Sequence, residues 1–281
     1  MNPGRIDLHV HTTASDGTLT PAETVRDAVA RGVALLAITD HDCTDGIAEA
    51  LDAAKELEIT LVPGCELSVG SDETEVHLLA YFMDISDAAF QEALAKLRGA
   101  RDVRNERILA RLRELGAPLD ITRLRQIAGD GSVGRPHIAK ALVEARHVSS
   151  EGAAFGRYLA RGKPAYVGRE RLGPAEASNL IRDTGGIPVL AHPAKIGPRP
   201  AIEGIIDQGI AGVEVFHSDH DAKDVELLMK IARERGLLIT GGTDSHGPHS
   251  SRPRLIGSVN IPEWVGEELL ARAPRSWREQ R

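Results

Sequence analysis

Arg5-Ile6-Asp7-Leu8-His9-Val10-His11-Thr12-Thr13-Ala14-Ser15-Asp16 is the stretch that decides the fold. Between Ile6 and Val10 apolar and polar residues alternate, the period-two signature of a strand. That alternation sets His9 and His11 on one face, their side chains pointing the same way at the C-terminal end of the strand. Two imidazoles so placed, with a carboxylate just beyond at Asp16, are the beginning of a metal site. An HxH pair alone decides little, so the remaining strand ends carry the argument.

Working outward, Thr20 as N-cap, Pro21 at the first helical position and Glu23 at the third form a capping box. The helix they start runs to about Arg31 and is ended by Gly32. Residues 33–39 are a continuous apolar run, read as a buried parallel strand, ending in Asp40-His41-Asp42. A helix over 45–57 follows. The next strand, 59–62, leads into Pro63-Gly64-Cys65-Glu66, and another, 75–82, carries His77 within it.

Between Ser86 and Val167 the rhythm becomes helical, with segments predicted at 88–99, 101–115, 121–128, 136–145 and 151–159. Strand and helix then alternate again: helix 174–183, strand 187–191 ending at His192-Pro193, helix 201–208, strand 212–216 ending at His217. A helix over 222–235 and a strand over 237–240 open into Gly241-Gly242-Thr243-Asp244-Ser245-His246, and the tail after Pro262 reads as a closing helix. Such alternation predicts an α/β fold, a parallel sheet of about seven strands closed into a barrel. Residues 1–85 and 168–281 form the barrel in this reading. Residues 86–167 are a helical insertion domain, expected as a lid over the C-terminal face.

Composition agrees. The 281 residues are 42% hydrophobic but only 3% aromatic, so the core rests on Leu, Ile, Val and Ala, as under a helix-covered parallel sheet. A formal charge of −7 argues against a surface that coats nucleic acid, though not against binding one nucleotide or a chain end. Cys43 and Cys65 are the two cysteines, each beside charged residues; a structural disulfide is not expected and a cytoplasmic location is. The first strand leaves no room for a signal peptide ahead of it, and no apolar run reaches the length of a membrane span.

Histidines or carboxylates mark nearly every predicted strand: His9, His11 and Asp16; Asp40 and His41; Glu66; His77; His192; Glu214 and His217; Asp244 and His246. In a barrel these ends converge on one face. A lone histidine is more often a hydrogen-bonded core or turn residue, but so many converging point to metal. The set exceeds what one tetrahedral zinc requires and suits two or three divalent ions, with Mn, Zn, Fe or Mg as candidates and Mn favoured. Clustered ions serve phosphoester hydrolysis by lowering the pKa of a bound water, making a hydroxide nucleophile, and by neutralising phosphoryl oxygens.

The ordered motifs Asp-Leu-His-Val-His-Thr with Ser15-Asp16-Gly17, Thr39-Asp40-His41, Pro63-Gly64-Cys65-Glu66, Ala191-His192-Pro193 and Gly242-Thr243-Asp244-Ser245-His246 resemble those of the PHP (polymerase and histidinol phosphatase) family. The resemblance spans residues 5–246 and implies a distorted (β/α)7 barrel with a metal cluster. It also implies a ligand set. His9, His11, Glu66 and Asp244 would hold a first ion; Glu66 would bridge to a second, with His77 and His192; Asp16, His41 and His246 would hold a third. Asp244 and His246 are thereby catalytic candidates. His217 is a candidate proton donor to the leaving oxygen, and Asp40 a candidate to orient a ligand histidine.

The inserted segment, with Gly134-Arg135-Pro136-His137-Ile138-Ala139 and Gly162-Lys163-Pro164-Ala165-Tyr166-Val167, is similar to a branch of the family that includes nucleoside-3′,5′-bisphosphate phosphatases and a 5′-to-3′ exoribonuclease. It implies a phosphomonoesterase on a nucleotide bearing a second phosphate, such as the 3′-phosphate of adenosine 3′,5′-bisphosphate. Exonuclease action on 5′ ends of short RNA and a histidinol-phosphate-type phosphatase are the alternatives within the family. Outside it, amide hydrolysis is disfavoured because no position for a carbamylated lysine is evident, and a non-catalytic metal-binding module by the intact ligand set. Pro136 in a first helical turn, with Arg135, His137 and Lys140 around it, offers free N–H groups and cations, a pattern suited to phosphate. Arg98, Arg101, Arg104, Arg107 and Arg111 do not hold one helix face and are interleaved with Glu106 and Glu114, so they are read as a solvated surface, not an RNA track.

Overall fold

A computed structural model of the chain describes residues 4–70, 75–128, 133–168, 171–250 and 253–279. These form two compact units, 1–94 with 172–281, and 95–171.

The first unit is built on seven strands, β1 (Arg5–Val10), β2 (Val33–Ile38), β3 (Thr60–Gly70), β4 (Glu75–Tyr81), β5 (Ile187–Leu190), β6 (Gly212–His217) and β7 (Leu238–Gly242), hydrogen-bonded in chain order. Helices α1 (Pro21–Ala30) and α2 (Ile47–Glu56) follow β1 and β2, and α3 (Ala88–Glu114) follows β4. The edge strands β1 and β7 meet where Val10 bridges Ser245 and the Asp244 N–H donates to the His9 carbonyl at 2.8 Å, so the sheet is a nearly closed barrel. Gly242 permits that approach. A Cβ there would sit 2.4 Å from His9 Cβ and 2.5 Å from its nitrogen, inside any tolerable contact.

The strands are not all parallel, as the alternation had suggested. β4 runs antiparallel to both β3 and β5, while the remaining pairs are parallel. The cause is local: β3 continues well past the predicted 59–62, through Glu66 to Gly70, and pairs with β4 as a hairpin. Reversal places the start of β4 on the same side as the ends of its parallel neighbours. His77, near the beginning of its strand, therefore joins His9, His192 and the rest.

Thr20 caps α1 as expected: its side chain accepts the Glu23 N–H, and Glu23 returns the bond to the Thr20 N–H. Leu8, Leu67, Leu78, Tyr81, Val189 and Val213 are all fully buried in the main apolar cluster of this unit. The Tyr81 hydroxyl donates to the Leu8 carbonyl at 2.8 Å, so this buried hydroxyl is satisfied.

The second unit is helical. It holds the greater part of α3, with α4 (Ile121–Ala128), α5 (Arg135–Glu144), α6 (Glu151–Ala154) and a π-turn over Phe155–Leu159. Two helices were predicted where α3 is one: Gly99 costs about 1 kcal/mol in a helix interior, less than the packing of a 27-residue helix supplies. Its own core is Ile108, Leu112, Leu124, Ile138, Leu142 and Leu159. Arg104 corrects the expectation of a solvated arginine face. It is only 6% exposed and donates from Nε to the Val167 carbonyl at 2.9 Å, while Arg111 donates to the Tyr166 carbonyl. These two arginines brace the 166–167 segment.

The remaining helices belong to the first unit: α7 (Pro174–Asp183), α8 (Arg199–Ile206), α9 (Ala222–Arg235), α10 (Glu263–Ala271) and α11 (Arg275–Glu279). Among the described residues no helix is long and apolar enough to cross a membrane.

Candidate metal centre

Strand geometry delivers the side chains. Along β1 the residues facing the core side are His9 and, just past the end, His11; their nitrogens meet Glu66 Oε2 from β3, each at 3.3 Å. Glu66 is central because its two oxygens face different partners. Oε2 also lies 3.0 Å from His41 Nδ1, whereas Oε1 lies 2.7 Å from His77 Nδ1 and 3.0 Å from His192 Nε2. Asp244, beyond β7, reaches His11 Nε2 at 3.3 Å and His9 Nε2 at 3.6 Å through Oδ1. Asp16 Oδ1 meets His246 Nε2 at 3.3 Å and His11 and His41 at 3.9 Å.

Among the described residues five donor groups result, each with one atom per residue and all atoms within 4.8 Å: His9, His11, Glu66 and Asp244; His11, Asp16, His41 and His246; His9, Glu214 and His217; His217, Asp219 and Asp244; and His41, Glu66 and His77. His192 adds to the group of His41, Glu66 and His77 through Glu66. All nine residues singled out as ligands are thus brought to one end of the barrel.

The residues fit metal ions. His9 Nε2, both nitrogens of His11, His41 Nδ1 and Glu66 Oε2 are buried and make no hydrogen bond. Buried polar atoms are otherwise satisfied, and imidazole nitrogens facing carboxylate oxygens at 3.0–3.6 Å need positive charge between them, which a proton or a metal ion can supply. Burial alone would raise the Glu66 carboxyl, but the imidazoles of His41, His77 and His9 outweigh it and hold it well below the usual range. Asp16 and Asp244 are held low in the same way by their histidines. Burial drives His192 down to about 4, keeping its imidazole neutral and its lone pair available.

Backbone strain collects at the site. His192 (φ +30°), Asp244 (φ +53°) and Asp42 (φ +51°) adopt left-handed conformations that residues with a Cβ seldom take. Asp42 there turns its carboxylate to the Ser68 N–H at 2.8 Å, tying the 40–42 turn to β3.

Some side chains have roles different from those expected. Among the described residues the Asp40 carboxylate bonds to no ligand imidazole. It accepts the Thr12 N–H and hydroxyl, both at 2.7 Å, and the Ser15 hydroxyl at 2.6 Å, fixing the loop that presents Asp16. Asp7 does the same across the barrel seam: it accepts the Thr243 N–H (2.9 Å) and hydroxyl (2.7 Å) and the Gly257 N–H (2.8 Å), securing the turn that bears Asp244. Burial nevertheless pushes the Asp7 carboxyl above its ordinary value.

Glu214 stands in the set of strand-end residues, but the sequence assigns it no role. In the structure it is fully buried, accepts from His9 Nδ1 at 2.9 Å, and accepts the His192 N–H at 2.7 Å. It therefore fixes His9 with Nε2 turned to Glu66, the carboxylate–histidine support usual behind metal-ligating imidazoles. Burial would raise its pKa, but His9 and His217 bring it down to about 2. The signal was present: an ionisable residue between Val213 and Val215 in an apolar strand.

His217 is set apart by its hydrogen bond. The Asp219 N–H donates to His217 Nδ1 at 3.0 Å, so the neutral ring carries its proton on Nε2, 3.6 Å from Asp244 Oδ2. That nitrogen offers a hydrogen and no lone pair.

Arg135, His137 and Lys140 lie in the second unit, at the start of α5. Gly134 is the N-cap and Arg135 the first helical residue; the Gly134 N–H donates to His137 Nδ1 at 3.0 Å, leaving Nε2 as the proton-bearing nitrogen. Lys140 is exposed.

Residues 7–109 match the model of the PHP domain. A 3′,5′-nucleoside bisphosphate phosphatase from Chromobacterium violaceum is 36% identical, the match covering 86% of this chain and 87% of that protein. A 5′-3′ exoribonuclease from Haemophilus influenzae is 35% identical, covering 92% of this chain and 98% of that protein. A solved structure from Bifidobacterium adolescentis, described as a metal-dependent phosphoesterase, superposes with a TM-score of 0.86 at 30% identity, covering 96% of both chains.

Proposed function

The chain belongs to the PHP family of metal-dependent phosphoesterases, and from that membership we propose that it removes a phosphate from a nucleotide carrying two. The substrate class is nucleoside 3′,5′-bisphosphate, with the 3′-phosphate leaving and a 5′-mononucleotide as product. The observation that carries the chemistry is the set of orphaned buried nitrogens around Glu66. The substrate class is supported by the 36% identity to a bisphosphate phosphatase along most of both chains.

His9, His11, Glu66 and Asp244 would hold one ion, Glu66 with His77 and His192 a second, and Asp16, His41 and His246 a third. Imidazoles mixed with carboxylates, without a thiolate, suit Mn, with Zn, Fe or Mg as substitutes. When bound, such ions activate water near neutral pH and neutralise charge on phosphoryl oxygens.

The protein's own side chains do the rest. Glu214 keeps the proton of His9 on Nδ1 and so keeps Nε2 a donor of electrons. Asp40 and Asp7 hold the two turns bearing Asp16 and Asp244 against movement. His217 presents a proton on Nε2 beside Asp244, and we assign it the role of donor to the departing ribose oxygen. Recognition of the second phosphate we assign to Arg135, His137 and Lys140, on the chemistry of a helix start carrying a guanidinium, an Nε2–H and an ammonium.

A second reading, 5′-to-3′ exonuclease action on short RNA, is favoured by the near-complete match to the exoribonuclease. One experiment separates the two. Phosphate and nucleotide products are measured from adenosine 3′,5′-bisphosphate, adenosine 5′-monophosphate and a short RNA bearing a 5′-phosphate, with Mn present. The proposal requires the bisphosphate to give adenosine 5′-monophosphate faster than the monophosphate loses its phosphate. Mononucleotides released from RNA with an inert bisphosphate would establish the exonuclease instead.

A further inference from the structure

The two oxygens of Asp244 face different surroundings. Oδ1 looks into the imidazoles, 3.3 Å from His11 Nε2 and 3.6 Å from His9 Nε2 and His246 Nδ1. Oδ2 looks away from them, 2.7 Å from an Arg254 Nη1, with Lys195 Nζ at 3.7 Å and His217 Nε2 at 3.6 Å. Arg254 does more than pair with one oxygen. The same nitrogen approaches the Thr243 carbonyl at 3.3 Å and the Asp244 carbonyl at 3.4 Å, and its other terminal nitrogen donates to Asp219 Oδ1 at 2.6 Å. Asp219 also takes Lys195 at 2.9 Å, so the cations that gather around Oδ2 are balanced by a second carboxylate.

We propose that Arg254 is a positioning residue that makes Asp244 a one-oxygen metal ligand. A carboxylate with both oxygens free can chelate an ion or rotate between neighbouring ions. With Oδ2 occupied by the guanidinium, only Oδ1 is left to the cluster, and its direction is set. The turn that needs this support is the left-handed one at Asp244, a conformation costly for a residue with a Cβ and held only by its surroundings. A guanidinium is suited to the task because its planar fork reaches one carboxylate with each terminal nitrogen while also bracing two carbonyls. A lysine would keep the charge and lose the fork.

The proposal rests on reading Asp244 as a ligand, and the experiment keeps the two apart. Metal-free wild-type protein, Asp244→Ala, Arg254→Lys and Asp219→Asn are titrated with Mn by calorimetry. Asp244→Ala should lose one ion; retention of every ion would overturn the ligand reading itself. Arg254→Lys, charge unchanged, should bind one ion about 10- to 100-fold more weakly, the usual effect of losing support behind a ligand, with the other ions as in wild type. Its fold should hold, because the Ser245 hydroxyl still donates to the backbone carbonyl of residue 254 at 2.7 Å. The unfolding midpoint of the metal-free chain checks that. Asp219→Asn removes the negative charge at the far end of the guanidinium without touching Asp244 and should weaken the same ion by less. Wild-type Mn affinity in Arg254→Lys, alongside a lost ion in Asp244→Ala, would overturn the proposal and reduce Arg254 to a point charge.

Discussion

Replacing Glu214 by Gln changes one atom and should disable one ligand. Glu214 is buried with two oxygens and receives two N–H groups, His9 Nδ1–H and the His192 backbone N–H. Glutamine has one acceptor oxygen, so one of these donors must face an NH2 group with no water to relieve it. A buried donor left unsatisfied costs about 1–3 kcal/mol. The His192 N–H is fixed by the backbone, so His9 is the group that yields. Its ring turns, or its proton moves to Nε2, and either change removes the lone pair that faces Glu66. Loss of a carboxylate behind a ligating histidine weakens metal binding about 10- to 100-fold, or roughly 1.4–2.7 kcal/mol. Calorimetric titration of Mn into the metal-free variant reads this directly, and thermal unfolding of the same sample reads the cost to the fold. Wild-type Mn affinity in Glu214→Gln would refute the reasoning, since it would mean that His9 needs no acceptor at Nδ1 to serve its place.

Other expectations follow from the same geometry. Asp244→Ala or Glu66→Ala should lower kcat at least on the order of 10³, as ion-supplied activation and charge stabilisation fall together; a variant retaining a tenth of the rate would contradict the ligand assignment. Arg135→Ala should lose about 10- to 150-fold in kcat/KM on a 3′,5′-bisphosphate, the worth of one charge-assisted contact, and little on an aryl phosphate, with Mn content unchanged. An equal loss on both substrates would move Arg135 out of the recognition role. Burial pushes the Cys43 thiol up to about 12, so neither it nor the buried Cys65 should react with a thiol reagent at pH 8 until the protein is denatured. Rapid labelling of the native protein would contradict the burial of both cysteines.

Much of this architecture is legible in the sequence because it is local. The alternation around His9, the capping box at Thr20 and the apolar run of β2 each specify their element within a few residues. The direction of β4 is not local: a strand reads the same in either sense, and only its pairing with the extended β3 reverses it. The part of the site visible in advance is the side chains at strand ends. What supports them was hidden, because each support joins residues far apart in the chain, as in Asp7 with Thr243, Asp40 with Thr12, Glu214 with His9 and Arg254 with Asp219. Arg104 misled for a related reason. Among arginines spaced three apart it looked like surface, yet the segment at Val167 draws it inside.

If the nine residues at the strand ends hold the ions as proposed, phosphatase activity depends on those ions. The deciding measurement is phosphate release from adenosine 3′,5′-bisphosphate by metal-free protein as Mn is added in equivalents. The account predicts no release without Mn and a rate that rises to a plateau at two or three equivalents per chain. Release that is independent of Mn, or that saturates below one equivalent, would contradict it.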